Sequence, residues 1–432
     1  MNDTIVKVGG YLGGRIGKHP DQVRRILELI YRGVSFQAGH FPSKAYLPSR
    51  ESGQAVSARN MASVLAHSEK TAVVNIFMTC EIFHALGIPV SAPEALSIYL
   101  TNTAIEQVFL ENAEENGASS NFCSFHRCLM GLCGTGVLRK PLLIANTTLA
   151  CDANRLSFRY LEETWKVPHF VVDVPFDVGE ESVLYVAEQL RELAHLAEDC
   201  AHRKLDPDQL KEAVARSIRS QNLFRRYLSL RGEVHLPELM SPELMNVINN
   251  HICLGLPEAE DYMTKLLADV SAAPKLKESV PRVLWMHVLP NAQESLKAIF
   301  QGADNDRIEV LGCDLAYDCL VQMDAEKPYE SMARRIVEAS YNGAGSRRIQ
   351  RTLDLAEKMK ADGIVIFCQW GCKQTQGIAF AAKRIFEEHG LPTLVLDGDA
   401  ADRANEASGQ SSTRASAFVE ALNERKSGRV PA

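Results

Sequence analysis

The residues most able to do chemistry here are cysteines. The chain has 11 of them: Cys80, Cys123, Cys128, Cys133, Cys151, Cys200, Cys253, Cys313, Cys319, Cys368 and Cys372. A thiol becomes a metal ligand or nucleophile as its thiolate. An odd count argues against a disulfide framework, and the opening MNDTIVKVGG lacks the apolar core of an export signal. No CxxC pair occurs, so the common structural-zinc signature is missing. Three close groups do occur: Cys123 with Cys128 and Cys133, Cys313 with Cys319, and Cys368 with Cys372. Free cysteine often packs as a small hydrophobe, so position must decide which of the eleven act.

Position selects two at once. PLLIANTT (Pro141 to Thr148) reads as a strand, followed by Cys151, a helix, Pro168 and the strand FVVDVP. GIVIFCQ (Gly363 to Gln369) reads as a strand, followed by Cys372, a helix, Pro392 and the strand LVLDGD. Each unit places a cysteine past the C-terminal end of a parallel strand, where open α/β sheets bind ligands. Each also places it at a helix start, where the dipole and free N–H groups favour the thiolate. Cys123 differs: FCSFHR follows a helix and precedes Gly131, Gly134 and Gly136, which reads as a glycine-containing loop able to wrap a compact inorganic cofactor. Three cysteines far apart in sequence, on loops from two lobes, suit a cluster held between domains. Thiolates with few nearby histidines favour iron–sulfur over catalytic zinc.

The elements that must position these residues form an α/β pattern. Two Rossmann- or flavodoxin-like parallel-sheet lobes are expected, with a helical N-terminal segment and a helical insert between lobes. Residues 1–70 read as helical and partly irregular, with Phe36 to Ser57, rich in Pro, Ser and Gly, as a loop. Residues 71–178 form the first lobe, with strands at Thr71 to Met78, Pro141 to Thr148 and Val167 to Pro175. Residues 179–280 are long, charged and helical, with few strand signals. Residues 281–425 form the second lobe, with strands at Val283 to Leu289, Arg307 to Cys313, Gly363 to Gln369 and Thr393 to Asp399, and 426–432 is a tail. Apolar residues are 46% and charged residues 23%, an ordinary globular balance that excludes disorder of the whole. The net charge of -7 and the lack of a basic cluster argue against nucleic acid. No apolar run approaches a bilayer span. A cytoplasmic protein is expected.

The segments FCSFHR, TTLACDANRLSFRYLEE and VPHFVVDVP, in that order, resemble the 2-hydroxyacyl-CoA dehydratase subunits. So do IFCQWGCKQTQGIAFAAKRIFEEHGLPTLVLDGDAADR and GQSSTRASAFVEAL, and VNIFMTCEIFHALGIPV fits the opening of that family's first lobe. The resemblance covers about residues 70 to 425. Benzoyl-CoA reductase subunits and double-cubane cluster proteins belong to the same superfamily. The resemblance implies an oxygen-sensitive [4Fe–4S] cluster between two lobes, held by three cysteines that map onto Cys123, Cys151 and Cys372. It implies removal of water from an (R)-2-hydroxyacyl-CoA through a ketyl radical, started by one electron from a separate ATP-dependent iron–sulfur activator. It also implies a homologous second subunit. The chain has no P-loop, which agrees with ATP being hydrolysed elsewhere.

Glu81 falls where the family has a glutamate near the active site, so it is the candidate acid or base; a first-turn carboxylate is also favoured by the helix dipole alone. Gln369 stands where the family commonly shows histidine. Cys80, Cys128, Cys133, Cys313 and Cys368 make a surplus that leaves a second cluster or double cubane open. His126 and His287 could touch a substrate or simply be hydrogen-bonded structural residues. Asp397, Asp399 and Asp402 suit turns and caps as well as a cation. The alternatives to the dehydratase are an ATP-driven reductase of the same superfamily and a non-catalytic electron-transfer subunit.

Overall fold

The structure, a computed structural model, describes residues 3–44, 46–237, 240–300, 307–318, 320–406 and 409–428. Cys319 lies outside the described residues, as do the last residues of the tail, 429–432.

Two four-stranded parallel sheets organise the chain. The first contains β1 (Ala72–Val74), β2 (Val90–Ser91), β3 (Leu143–Thr147) and β4 (His169–Val172), in the order β2-β1-β3-β4. The second contains β5 (Arg282–Met286), β6 (Glu309–Cys313), β7 (Gly363–Gln369) and β8 (Thr393–Gly398), in the order β6-β5-β7-β8. The two orders are the same, so the sequence echo around Cys151 and Cys372 marks equivalent places in two lobes of one plan. Parallel strands need crossover connections, and helices such as Asp152–Trp165 and Lys373–Glu388 supply them.

The strands read as apolar runs because both faces of each sheet are covered. Successive strand side chains point to opposite faces. In the first lobe this sorts Ala72, Val74, Leu143 and Ala145 into a core shared with the insert and second lobe, while Val73 and Ile144 join a separate core under the N-terminal helices. Those helices are Asp3–Ile16, Pro20–His40 and Pro48–Ala66. The expected loop from Phe36 to Ser57 is therefore mostly helical. Its prolines and glycines have local uses. Pro48 opens the third helix at its first turn, where a missing N–H costs nothing. Gly53 leaves room for Tyr262, whose ring would lie 2.9 Å from any Cβ there.

The insert is helical throughout its main elements: Glu180–Ala201, Pro207–Arg231, Met240–His251 and Pro257–Ala272. The expected strands are all present, mostly shorter at their ends. β2 was not expected, since two residues carry no periodic signal. No described helix is long and apolar enough to cross a membrane.

Candidate cysteine-lined active site

In each sheet the strand order reverses between the first and third strands, β1 and β3 in one lobe, β5 and β7 in the other. Ligands bind open α/β sheets at such a reversal, outside the carboxyl ends of the strands. Ile76 and Phe77 follow β1, Ala150 to Ala153 follow β3, His287 and Val288 follow β5, and Gly371 to Gln374 follow β7. All of these line one cavity of about 80 Å³, so the two reversals face each other across it.

Cys123, Cys151 and Cys372 all line this cavity. Each is the N-cap residue of a helix: Ser124–Gly134, Asp152–Trp165 and Lys373–Glu388. The expected glycine loop at Cys123 is thus a helix start like the other two. Its glycines serve packing instead, since a Cβ on Gly131 would collide with the Phe109 carbonyl. Three helix N-termini, each with unpaired N–H groups and a partial positive charge, converge on one space. That favours a group of net negative charge held by thiolates.

Close approach of the two lobes depends on Gly371. It has φ +78°, and a Cβ there would lie 2.5 Å from Cys123 N and 2.8 Å from Asn121 O. Beside it, Gln369 donates from Nε2 to Ser124 Oγ at 3.1 Å and to Asp399 Oδ1 at 2.9 Å. Ser124 Oγ donates to the same Asp399 oxygen at 2.5 Å. Asp402 pairs with Arg127 at 3.1 Å and accepts from Gln107 at 2.6 Å. Asp399 and Asp402 of LDGDAADR therefore latch the second lobe to the Cys123 helix. Gln369 belongs to that latch as well as to the cavity wall.

Two histidines flank the thiols. His126 Nε2 lies 3.5 Å from Cys151 Sγ, and its Nδ1 lies 2.8 Å from Ser157 Oγ. Burial pulls this ring down to about 3, so it is neutral. His287 Nε2 lies 3.6 Å from Cys372 Sγ. Its Nδ1 is 3.3 Å from the Phe367 carbonyl, which can only accept, so Nδ1 carries the hydrogen. His287 holds φ +83°, uncommon for a non-glycine residue. Its backbone N–H donates to Asp314 at 2.6 Å, and Asp314 pairs with Arg348 at 2.6 Å. Arg348 also donates to Gln374 and Thr375 on the Cys372 helix. One buried network thus sets both His287 and the start of that helix.

Burial pushes the Cys123 and Cys151 thiols up. It acts the same way at Cys372, but the charge and hydrogen bond of His287 and the Thr375 backbone N–H outweigh it and bring the thiol down to about 6. Glu94 completes the wall. It lies in the first turn of the helix Pro93–Asn102, with Oε1 4.0 Å from His126 Nε2. Oε2 is buried without a hydrogen-bond partner, and burial pushes the carboxyl up to about 7.

Residues 75–422 match the model of the family described as 2-hydroxyglutaryl-CoA dehydratase, D-component. The chain belongs to this dehydratase family. Its relatives include the (R)-phenyllactyl-CoA dehydratase alpha subunit of Clostridium sporogenes, 23% identical over 80% of this chain and 86% of the relative. The lactoyl-CoA dehydratase subunit alpha of Anaerotignum propionicum is 24% identical over 78% and 87%. The Clostridium sporogenes beta subunit also matches, at 20% identity over 63% and 73%.

Within this family member, Glu81 does not line the cavity. It is fully buried and bidentate to Arg335, at 2.5 and 2.8 Å, and accepts from Ser217 at 2.7 Å. The surplus cysteines Cys80, Cys128, Cys133, Cys313 and Cys368 are buried, and none of them lines the cavity. Glu94 was missed in the sequence. The one signal for it was a Pro-Glu helix start just after a strand, and that strand, β2, was too short to read.

Among the described residues, no group of three or more His, Cys, Asp or Glu is gathered tightly enough for a single metal ion. The three cysteines line one shared cavity. Tetrahedral zinc needs its sulfurs at about 2.3 Å, which this arrangement does not offer. A multi-iron cluster with bridging sulfides, ligated by thiolates around its outside, fits it.

Proposed function

We propose that this chain is an iron–sulfur subunit of an (R)-2-hydroxyacyl-CoA dehydratase, a hydro-lyase, in which Cys123, Cys151 and Cys372 hold a [4Fe–4S] cluster. The observation that carries this reading is the convergence of three N-cap cysteines from two lobes on one cavity. Held by these three cysteines, a cluster would supply a single low-potential electron. The source of that electron is a separate ATP-dependent activator, and the working enzyme pairs this chain with a second subunit of the same family. Matches to both alpha and beta subunits of a relative support the pairing.

The chain's own residues have separate tasks. Elimination releases hydroxide from C2 and a proton from C3 of the acyl group, which leave together as water, and the electron that starts the reaction is returned, so the dehydration is redox-neutral overall. Glu94 Oε2 is the free buried carboxylate oxygen on the cavity wall, and it takes the C3 proton. An acid–base group works best with a pKa near the working pH, and burial gives Glu94 that property. Neutral His126 orients Cys151, and His287 orients Cys372. Apolar walls from Ile76, Phe77, Phe125, Val288 and Leu315 exclude water. Glu81 is structural: through Arg335 it ties the short helix after β1 to the second lobe. The reductase and double-cubane readings lack support from a second thiol set at the cavity among the described residues.

The test is Glu94→Gln in anaerobically purified complex, assayed with activator, ATP and a panel of 2-hydroxyacyl-CoAs. Loss of about 100-fold or more in kcat with iron content unchanged is expected for a lost acid–base group. Wild-type turnover in this variant would remove Glu94 from the reaction. Absence of turnover on any 2-hydroxyacyl-CoA by wild-type complex would overturn the dehydratase itself.

A further inference from the structure

A second, smaller chamber of about 30 Å³ adjoins the cysteine cavity. The two share Ile76, Glu94, Phe125, Val288 and Leu315 in their walls. Beyond that shared wall the chamber is closed by Ile98, Leu244, Val247, Ile248 and Leu289, contributed by the first lobe, the helix Met240–His251 and the second lobe. Among the described residues, no lysine, arginine or histidine lines it, and its polar side chains are those of Glu94 and Asn291.

We infer that this chamber receives the side chain of the acyl group, and that this side chain is a short apolar one, isobutyl-sized or smaller, and not one ending in a carboxylate. The inference rests on the dehydratase reading and adds the substrate class to it. Three physical points support it. A buried carboxylate needs a cation or several donors; among the described residues the chamber offers no cation, and Glu94 at its mouth repels a second carboxylate. An alkyl group needs only apolar walls, which are present. The volume admits about two or three water-sized spheres at roughly 10–15 Å³ each, which suits a few methyl or methylene groups. A side chain seated in this chamber would bring C3, its first carbon, to the shared wall where Glu94 stands.

The experiment compares lactoyl-CoA, 2-hydroxyisocaproyl-CoA and 2-hydroxyglutaryl-CoA on the wild-type complex and on Val247→Phe. Turnover is read with activator and ATP, and equilibrium binding of each thioester is read without them. Wild type should favour the two apolar substrates over the dicarboxylic one by roughly 100-fold or more in kcat/KM, the discrimination expected when a binding site leaves a buried polar group unpaired. Val247→Phe fills the chamber, so it should lose binding and turnover of 2-hydroxyisocaproyl-CoA while keeping lactoyl-CoA. Equal or better use of 2-hydroxyglutaryl-CoA by wild type would overturn the chamber assignment and leave the dehydratase reading standing. Equal loss of both apolar substrates in Val247→Phe, with iron content intact, would also overturn it. No turnover of any of the three, with turnover of another 2-hydroxyacyl-CoA, would overturn the chamber assignment alone; no turnover of any 2-hydroxyacyl-CoA would overturn both.

Discussion

Gly371→Ala tests the lobe contact on which the cysteine cavity depends. The residue holds φ +78°, so a Cβ costs about 1–2 kcal/mol in backbone strain alone. The new methyl would lie 2.5 Å from the Cys123 backbone nitrogen and 2.8 Å from the Asn121 carbonyl oxygen, and Cβ contacts under 3.0 Å essentially do not occur. Both neighbours are backbone, so neither can swing aside. The segments must part by about half an ångström, and overpacking of this kind costs about 1–3 kcal/mol more. With roughly 2.1 cal/mol/K of unfolding entropy per residue, that sum lowers Tm by only about 2–5 °C. The larger effect is on the site, because the displaced atoms carry Cys123 away from Cys372. The assay is iron and acid-labile sulfide per chain after anaerobic purification, beside a melting curve. A folded Gly371→Ala protein that has lost most of its iron is expected. A variant with wild-type iron content and wild-type Tm would show that the lobes do not meet as described.

Further outcomes follow from the same geometry. Glu81→Ala leaves Arg335 charged and buried, so unfolding by urea should show a loss of about 3–5 kcal/mol; Glu81→Gln, if Glu81 is structural, should keep turnover per bound iron, and a turnover loss there would return Glu81 to the chemistry. Asp399→Ala removes the acceptor shared by Ser124 Oγ and Gln369 Nε2, and lost bonds to a charged acceptor cost about 1.5–3 kcal/mol each; protease sensitivity between the lobes should rise. Glu243, buried beside Tyr227 and Asn246, is pushed up to about 7 by burial despite Arg231. Its folded pKa is raised, so its contribution to stability is full below the ordinary carboxylate pKa of about 4.3 and is lost as pH rises through 7. Comparing urea midpoints of wild type and Glu243→Gln should show the variant's advantage growing from pH 5 to pH 8; a constant difference would contradict this.

What the sequence made legible was local. Cys151 and Cys372 stood out because strand, cysteine and helix are adjacent in the chain, and the structure puts both at the same strand-order reversal of their lobes. Cys123 also lines the cavity, but its glycines suggested a loop, whereas Gly131 in fact allows the Ser124–Gly134 helix to pack on Phe109. The remaining site residues depend on contacts across long separations. Nothing near Glu81 in sequence signals Arg335, 254 residues away. His287 became a cavity residue through a left-handed backbone and a bond to Asp314, neither of which has a local pattern. Glu94 was not singled out in the sequence, because only the folded lobes bury its Oε2 on the cavity wall. The segment from Phe36 to Ser57 misled through composition: its Pro and Gly serve a helix start and a close helix contact.

The most direct test of the central claim is iron and acid-labile sulfide per chain after strictly anaerobic purification, in wild type and in single Cys→Ser variants. About four of each per chain, the content of one [4Fe–4S] cluster, is expected for wild type. Cys123→Ser, Cys151→Ser and Cys372→Ser should lose the cluster while staying folded, and Cys368→Ser and Cys80→Ser should keep it. No iron in wild type, or full retention in Cys151→Ser and Cys372→Ser, would contradict the account.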